Sequence, residues 1–236
     1  MLNIPHRINQ IKFYIHKYGF FKTIKKCIKI VIRKLNCMIH FKKDVNYGSY
    51  GDWIKANEVK ETQIKAQTQE KFEIMPKISI IVPMYETKEK FLKELIDSVI
   101  AQSYSNWELC FADGSPKQNP KWKKLMEKDN RIHYQFLNQN LGISGNSNEA
   151  IQMATGDYIA LLDHDDLLAP YALFEVVKMI NQAPNAEFIY SDEDKIDQNG
   201  NRSEGYFKPD FAPDTLRCQN YICHFSIFKK ELMDKL

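Results

Sequence analysis

From Lys77 onward, short runs of β-branched and apolar residues alternate with segments whose apolar residues recur every three or four positions. The runs "KISIIVP", "WELCFAD", "RIHYQF", "DYIALL" and "AEFIYS" read as five strands. Between them, "EKFLKELIDSVIAQS", "PKWKKLMEKD", "SGNSNEAIQMA" and "PYALFEVVKMINQ" read as helices. Phe91, Leu92, Leu95, Ile96 and Val99 share one face of the first helix, and Pro170 stands near the first turn of the last. This alternation leaves few folds open. It predicts βαβ units and an α/β domain with a mostly parallel sheet. After Ser191 the rhythm breaks: "DQNGN" (197–201) predicts a hairpin turn, "YICHFSIF" a later strand and "KKELMDKL" the opening of another helix.

A parallel sheet sends the carboxyl ends of its strands to one edge, and open α/β sheets bind ligands there. Three predicted strands end in acidic residues: Asp113 on the second, Asp163 and Asp165 on the fourth, and Asp192, Glu193 and Asp194 on the fifth. Clustered carboxylates repel and raise one another's pKa. Any one of them can be a helix cap, and Asp166 is placed to cap the helix near Pro170. Convergence from three strands favours a hard cation, Mn²⁺ or Mg²⁺, which prefers carboxylate and phosphate oxygens and would bridge to a diphosphate. His164, between the two aspartates, is expected to be a solvated side chain rather than a ligand.

The preceding residues are built differently. Residues 1–43 hold 11 of the chain's 33 basic residues and none of its 30 acidic ones, so the remainder carries an acidic excess. Within 1–45, Ile8, Ile11, Ile15, Phe20, Phe21, Ile24, Ile28, Val31, Ile32 and Leu35 recur at helical spacing among lysines. This basic amphipathic arm suits an anionic leaflet, at about 1 kcal/mol per basic residue, or else packs its apolar face on the body. A nucleic-acid partner is not expected, because the acidic body repels a phosphate backbone. Residues 46–76 read as a linker with one helix from about Asp52 to Gln67. The five cysteines are odd in number and irregularly spaced, which fits reduced thiols rather than disulfides or a zinc site. Charges interrupt each apolar stretch before membrane-spanning length, and no signal peptide is seen. The expected location is cytoplasmic, peripheral at the inner face of the cell membrane.

The segments "ISIIVPMYE", "WELCFADGS", "NLGISGNSNEAIQMATGDYIALLDHDD" and "YSDEDKID" resemble glycosyltransferase family 2, over about residues 77–228. The later "YFKPDFAPDTLRCQNYICHFSIF" resembles the subgroup that builds bacterial surface polysaccharides, often rhamnosyltransferase-like. The resemblance implies a GT-A fold over 77–236, with its C-terminal part incomplete. It implies a metal-dependent, inverting enzyme using a UDP- or dTDP-sugar as nucleotide-sugar donor and a glycan or lipid-linked acceptor. Carried over by position, Pro83, Tyr85 and Glu86 match a first-strand motif whose loop contacts the nucleotide, where Asn is commoner than Glu86. Asp113 matches the acidic residue that reads the base ring, although Gly114 stands where a second Asp is usual. Asn140, Gly142 and Asn148 match the segment that shapes the nucleotide pocket, and Gly142 also reads as an ordinary turn glycine. Asp163 matches the residue toward ribose and metal, and Asp165 the residue on the metal. His224 matches a late histidine that sometimes completes the metal shell; a core or edge histidine on the predicted strand is the other reading.

The implied reaction is a single displacement at the anomeric carbon, helped by electrostatic stabilisation of the leaving diphosphate and a carboxylate general base. The family's usual Glu-Asp or Gln-Asp base motif is not found before Leu236. Asp192, Glu193 and Asp194 are the acceptor-side candidates, with Asp210 and Asp214 weaker. A non-catalytic nucleotide-sugar-binding protein is the alternative.

Overall fold

The computed structural model describes residues 48–235, and the basic arm lies outside them. Strands β1 (Ile78–Met84), β2 (Trp107–Asp113), β3 (Ile132–Phe136) and β4 (Tyr158–Leu161) are mutually parallel where they pair. The chain then forms β5 (Phe188–Tyr190), a hairpin of β6 (Glu193–Ile196) and β7 (Arg202–Tyr206), and finally β8 (Ser226–Lys229). The hairpin turn falls where "DQNGN" predicts it. One sheet collects six strands in the order β3-β2-β1-β4-β8-β5, and β8 runs antiparallel to both of its neighbours. The predicted late strand is shorter than expected. Residues 221–225 are irregular, so His224 stands in the loop before β8, and "KKELMDKL" forms a 3₁₀ helix over Lys230–Lys235.

Both faces of the parallel strands are covered, which is why β1 and β2 read as continuous apolar runs. The two-residue period sorts their side chains: Ile78, Ile80, Val82 and Met84 enter one core, and Ile81 the other. On the first face, α3 (Glu89–Ile100) buries Leu92, Leu95, Ile96 and Val99, and α6 (Ala172–Gln182) buries Leu173, Phe174, Val176, Val177 and Ile180. On the other, α5 (Gly142–Met153) sets Ala150 against Cys110, Ala112 and Ile159. A short α4 (Pro120–Met126), N-capped by the Asn119 side chain, links β2 to β3. Truncating a core leucine such as Leu95 to alanine is expected to cost about 2–5 kcal/mol.

At the amino end of the sheet, Glu108 is buried. Its carboxylate accepts from Ser79 Oγ at 2.6 Å and Thr155 Oγ1 at 2.9 Å, and pairs with Lys77. This is a buried charge with its partners in place, the condition under which such a charge is tolerated.

The linker expectation needs correction. Residues 50–67 form two helices, α1 (Tyr50–Asn57) and α2 (Glu61–Gln67), and α1 is stitched to the β6–β7 hairpin. The Tyr50 hydroxyl donates to Asp194 at 2.6 Å, and Arg202 Nη1 donates to Glu58 at 2.5 Å. Trp53 packs edge-on against Phe207 with centroids 4.8 Å apart. Hydrophobic period alone does not reveal this, because the contacts are polar or lie on the hairpin side.

Candidate active site

The connection from β3 crosses back over β1 to reach β4, so the topological switch point lies between β1 and β4. Pairing of these strands stops at Ile81↔Leu161, followed by one bond from the Leu162 amide to the Ile81 carbonyl at 3.0 Å. Pro83, two residues on, has no N–H to continue a ladder. The strands therefore part just where β4 runs into Asp163. Tyr85 is exposed past the end of β1, and Glu86 follows with a positive φ of 47°, its amide donating to Ser115 Oγ at 2.9 Å.

Asp113 ends β2 fully buried. One carboxylate oxygen accepts from the Ser115 amide at 2.9 Å and the other from the Tyr134 hydroxyl at 2.8 Å. Burial and the neighbouring carboxylate push the Tyr134 hydroxyl well above its usual range. Asp113 thus shapes the turn after β2. Gly114 is required there: a Cβ would lie 2.6 Å from Asn146 Nδ2 and 3.1 Å from the Asn140 backbone.

That contact identifies a residue absent from the sequence expectations. Asn146 is buried on α5, accepts from the Leu141 amide at 3.0 Å, and donates to the Met84 carbonyl at 3.4 Å and to Asn140 Oδ1 at 3.3 Å. It ties the 140–141 turn to the end of β1. Asn148, named in its place, is exposed. The signal was in the helical period, since Asn146 shares a face with Ala150 and Ala154. Asn140 also accepts from the Gly142 amide at 2.9 Å, and Gly142 has a φ of 74° with open space around it, as a turn glycine does.

Beyond β4, Asp163, Asp166 and His224 offer ligand atoms that all lie within 4.8 Å of one another. His224 Nε2 is 3.9 Å from Asp163 and Nδ1 is 3.6 Å from Asp166. Asp165 is exposed and stands outside this group. Asp166 caps no helix, since the residue before α6 is Tyr171 and no side chain caps that end. Burial pushes the Asp166 carboxyl up, with Asp163, Asp165 and Glu193 adding to the rise and His224 opposing it. Two carboxylates and an imidazole suit Mn²⁺ or Mg²⁺, and a cation would relieve this repulsion. His164 is not simply solvated: its Nδ1 is buried with no hydrogen-bond partner.

The acidic run at 192–194 is held by the chain itself. The Lys208 amide donates to Asp192 at 2.7 Å, Lys208 Nζ meets Glu193 at 3.1 Å, and Arg202 Nε meets Asp194 at 2.6 Å. Of the three, Asp192 is the exposed one. Asp210 is exposed on the surface, and Asp214 pairs with Arg217 in α7 (Pro213–Cys218).

Residues 79–236 match the family model described as Glycosyl transferase family 2. The O-antigen biosynthesis protein RfbC of Myxococcus xanthus is 30% identical over 187 residues, covering 78% of this chain and 15% of that protein. The UDP-Glc:alpha-D-GlcNAc-diphosphoundecaprenol beta-1,3-glucosyltransferase WfgD of Escherichia coli is 34% identical over 122 residues, covering 52% of this chain and 47% of that protein. The chain therefore spans less than half the length of either relative. Among solved structures, the mannosyltransferase PcManGT of Pyrobaculum calidifontis, in complex with GDP-Man and Mn²⁺, superposes with a TM-score of 0.50 at 17% identity, covering 74% of this chain and 52% of that one. That likeness is one of fold.

Proposed function

Because the chain belongs to glycosyl transferase family 2 and has the GT-A fold, we propose that it transfers a sugar from a nucleotide-diphosphate donor to a hydroxyl of a cell-surface glycan or lipid-linked acceptor. The observation that carries the reading is the grouping of Asp163, Asp166 and His224 at the switch point, beside the gap that Pro83 opens. In this reading Mn²⁺ or Mg²⁺ sits on these three residues and, when bound, supplies positive charge for the leaving diphosphate. Asn146 and Gly114 shape the turn against which the nucleoside packs, and Asp113 holds that turn from below.

The acceptor oxygen attacks the anomeric carbon, and the bond from that carbon to the diphosphate oxygen breaks. The nucleoside diphosphate leaves with the electron pair, and the configuration inverts. The hydroxyl proton passes to a carboxylate. Asp192 fits that role best: it is exposed, and the Lys208 amide orients one of its oxygens. UDP-glucose and a diphosphoundecaprenol-linked sugar are named for the E. coli relative, which supports a lipid-linked acceptor and a UDP donor here. The basic residues at 1–45 would hold the chain at the inner membrane face, where such acceptors present their sugars. Among the described residues no helix is long and apolar enough to cross a membrane.

One observation favours a second reading, a nucleotide-sugar-binding protein without turnover: Glu193 and Asp194 are already engaged in ion pairs. Calorimetric titration of UDP, dTDP and GDP, with and without Mn²⁺, tests the site. Metal-dependent binding lost in Asp163→Ala is expected. No binding by any of them to folded protein would overturn both readings, and binding without transfer to any lipid-linked acceptor would leave the second.

A further inference from the structure

Lys208 touches both the acidic run at 192–194 and the turn that carries His224. Its side chain is only 1% exposed, yet it follows the exposed Phe207 on an irregular segment. A buried ammonium is costly unless its donors are satisfied. Here the ammonium meets Glu193 Oε2 at 3.1 Å, the Ile222 carbonyl at 2.8 Å and the His224 carbonyl, all in the site region. Its amide meanwhile holds Asp192 at 2.7 Å. The turn from Ile222 to His224 is thus wound round one cation. Cys223, in the middle, has a φ of 20°, outside the regions open to ordinary side chains, so the turn needs support from its surroundings.

We infer that Lys208 is a positioning residue: it fixes His224 opposite Asp163 and Asp166 and, through the same side chain and amide, sets Glu193 and Asp192 beside them. The inference rests on the metal-site reading above. Its ammonium has three donors for the two carbonyls and the carboxylate, a set that a neutral side chain cannot match. The expected result of its loss is a site whose parts are all present and wrongly placed.

The test uses the full chain and two readouts. Binding of Mn²⁺ alone is followed by the spin-resonance signal of the free ion. Amide exchange of residues 222–226 is followed in metal-free protein. Lys208→Met is expected to weaken Mn²⁺ binding by about tenfold or more, the usual scale for residues that orient metal ligands. It is also expected to speed exchange in 222–226 while leaving β1 and β4 unchanged. Adding Lys208→Met to His224→Ala should then weaken Mn²⁺ little further. If Lys208→Met does not fold, Lys208→Gln, which keeps a donor for one carbonyl, serves in its place. Unchanged Mn²⁺ affinity overturns the inference, whether or not exchange quickens, since the lysine would then serve the fold alone. Failure of the wild type itself to bind Mn²⁺ sinks the metal reading, and unchanged exchange in that case sinks the role of Lys208 as well.

Discussion

Arg202 Nε donates to Asp194 Oδ2 at 2.6 Å, and the Tyr50 hydroxyl donates to the same oxygen at 2.6 Å. That carboxylate is a joint between α1 and the hairpin. Burial and the Asp194 bond push the Tyr50 hydroxyl up to about 12, so it stays a donor at any physiological pH. Asp194→Ala is expected to cost about 1–3 kcal/mol in urea unfolding, since it removes a charged acceptor shared by two half-buried donors. Transfer by the folded fraction should persist.

Asp192 should behave in the opposite way. Asp192→Asn keeps the shape and the bond from the Lys208 amide but removes the basic oxygen. Stability should change by less than about 0.5 kcal/mol, as for exposed positions. The transfer rate should fall by about 10²–10⁴-fold, the usual weight of a general base. Steady-state kinetics with the donor identified by calorimetry checks this.

The placement of Asp166 sets it apart from Asp165. Asp166→Asn should weaken Mn²⁺ binding by about tenfold or more, whereas Asp165→Asn should have the smaller effect, because only Asp166 shares the cluster with Asp163 and His224. Equal losses in the two variants, measured by Mn²⁺ titration, would reverse this assignment.

Gly114→Ala brings a methyl to within 2.6 Å of Asn146, which is itself anchored to Met84 and Leu141. The expected cost is about 1–3 kcal/mol from overpacking. Nucleotide binding should weaken more than Mn²⁺ binding, because the strained turn lies on the side proposed above for the nucleoside. Titrations of each ligand separate the two effects.

Glu108 links stability to pH. Burial alone would push its carboxyl up, but donors from Lys77, Ser79 and Thr155 outweigh that and hold it at about 2, below the ordinary 4.5. A folded-state value below the unfolded one stabilises the protein above pH 4.5, and this contribution drains away as pH falls toward 2. Urea midpoints measured between pH 7 and pH 3 should fall more steeply for the wild type than for Glu108→Gln.

The parallel half of the fold was legible because β1 and β2, covered on both faces, are continuous apolar runs, while α3 buries residues at helical spacing, so pattern and burial coincide. Asp163 was legible for a related reason: a strand ending in charge must leave the sheet there. Asn146 was less so, since a buried polar residue looks like surface until its partners Leu141 and Met84 are in view. The role of Asp166 depends on His224, 58 positions further on, and no local pattern brings those two together. The same holds for Tyr50 and Asp194, whose bond spans 144 positions.

The stitching of α1 to the hairpin changes where this protein can be cut and rejoined. The family match opens at residue 79, whereas the compact unit opens at Tyr50. A gene fusion that joined a foreign segment at residue 79 would carry Arg202 away from Glu58 and Phe207 away from Trp53. Recombination that preserves this module must take the earlier helix along with it, so the natural seam for exchange lies before Tyr50.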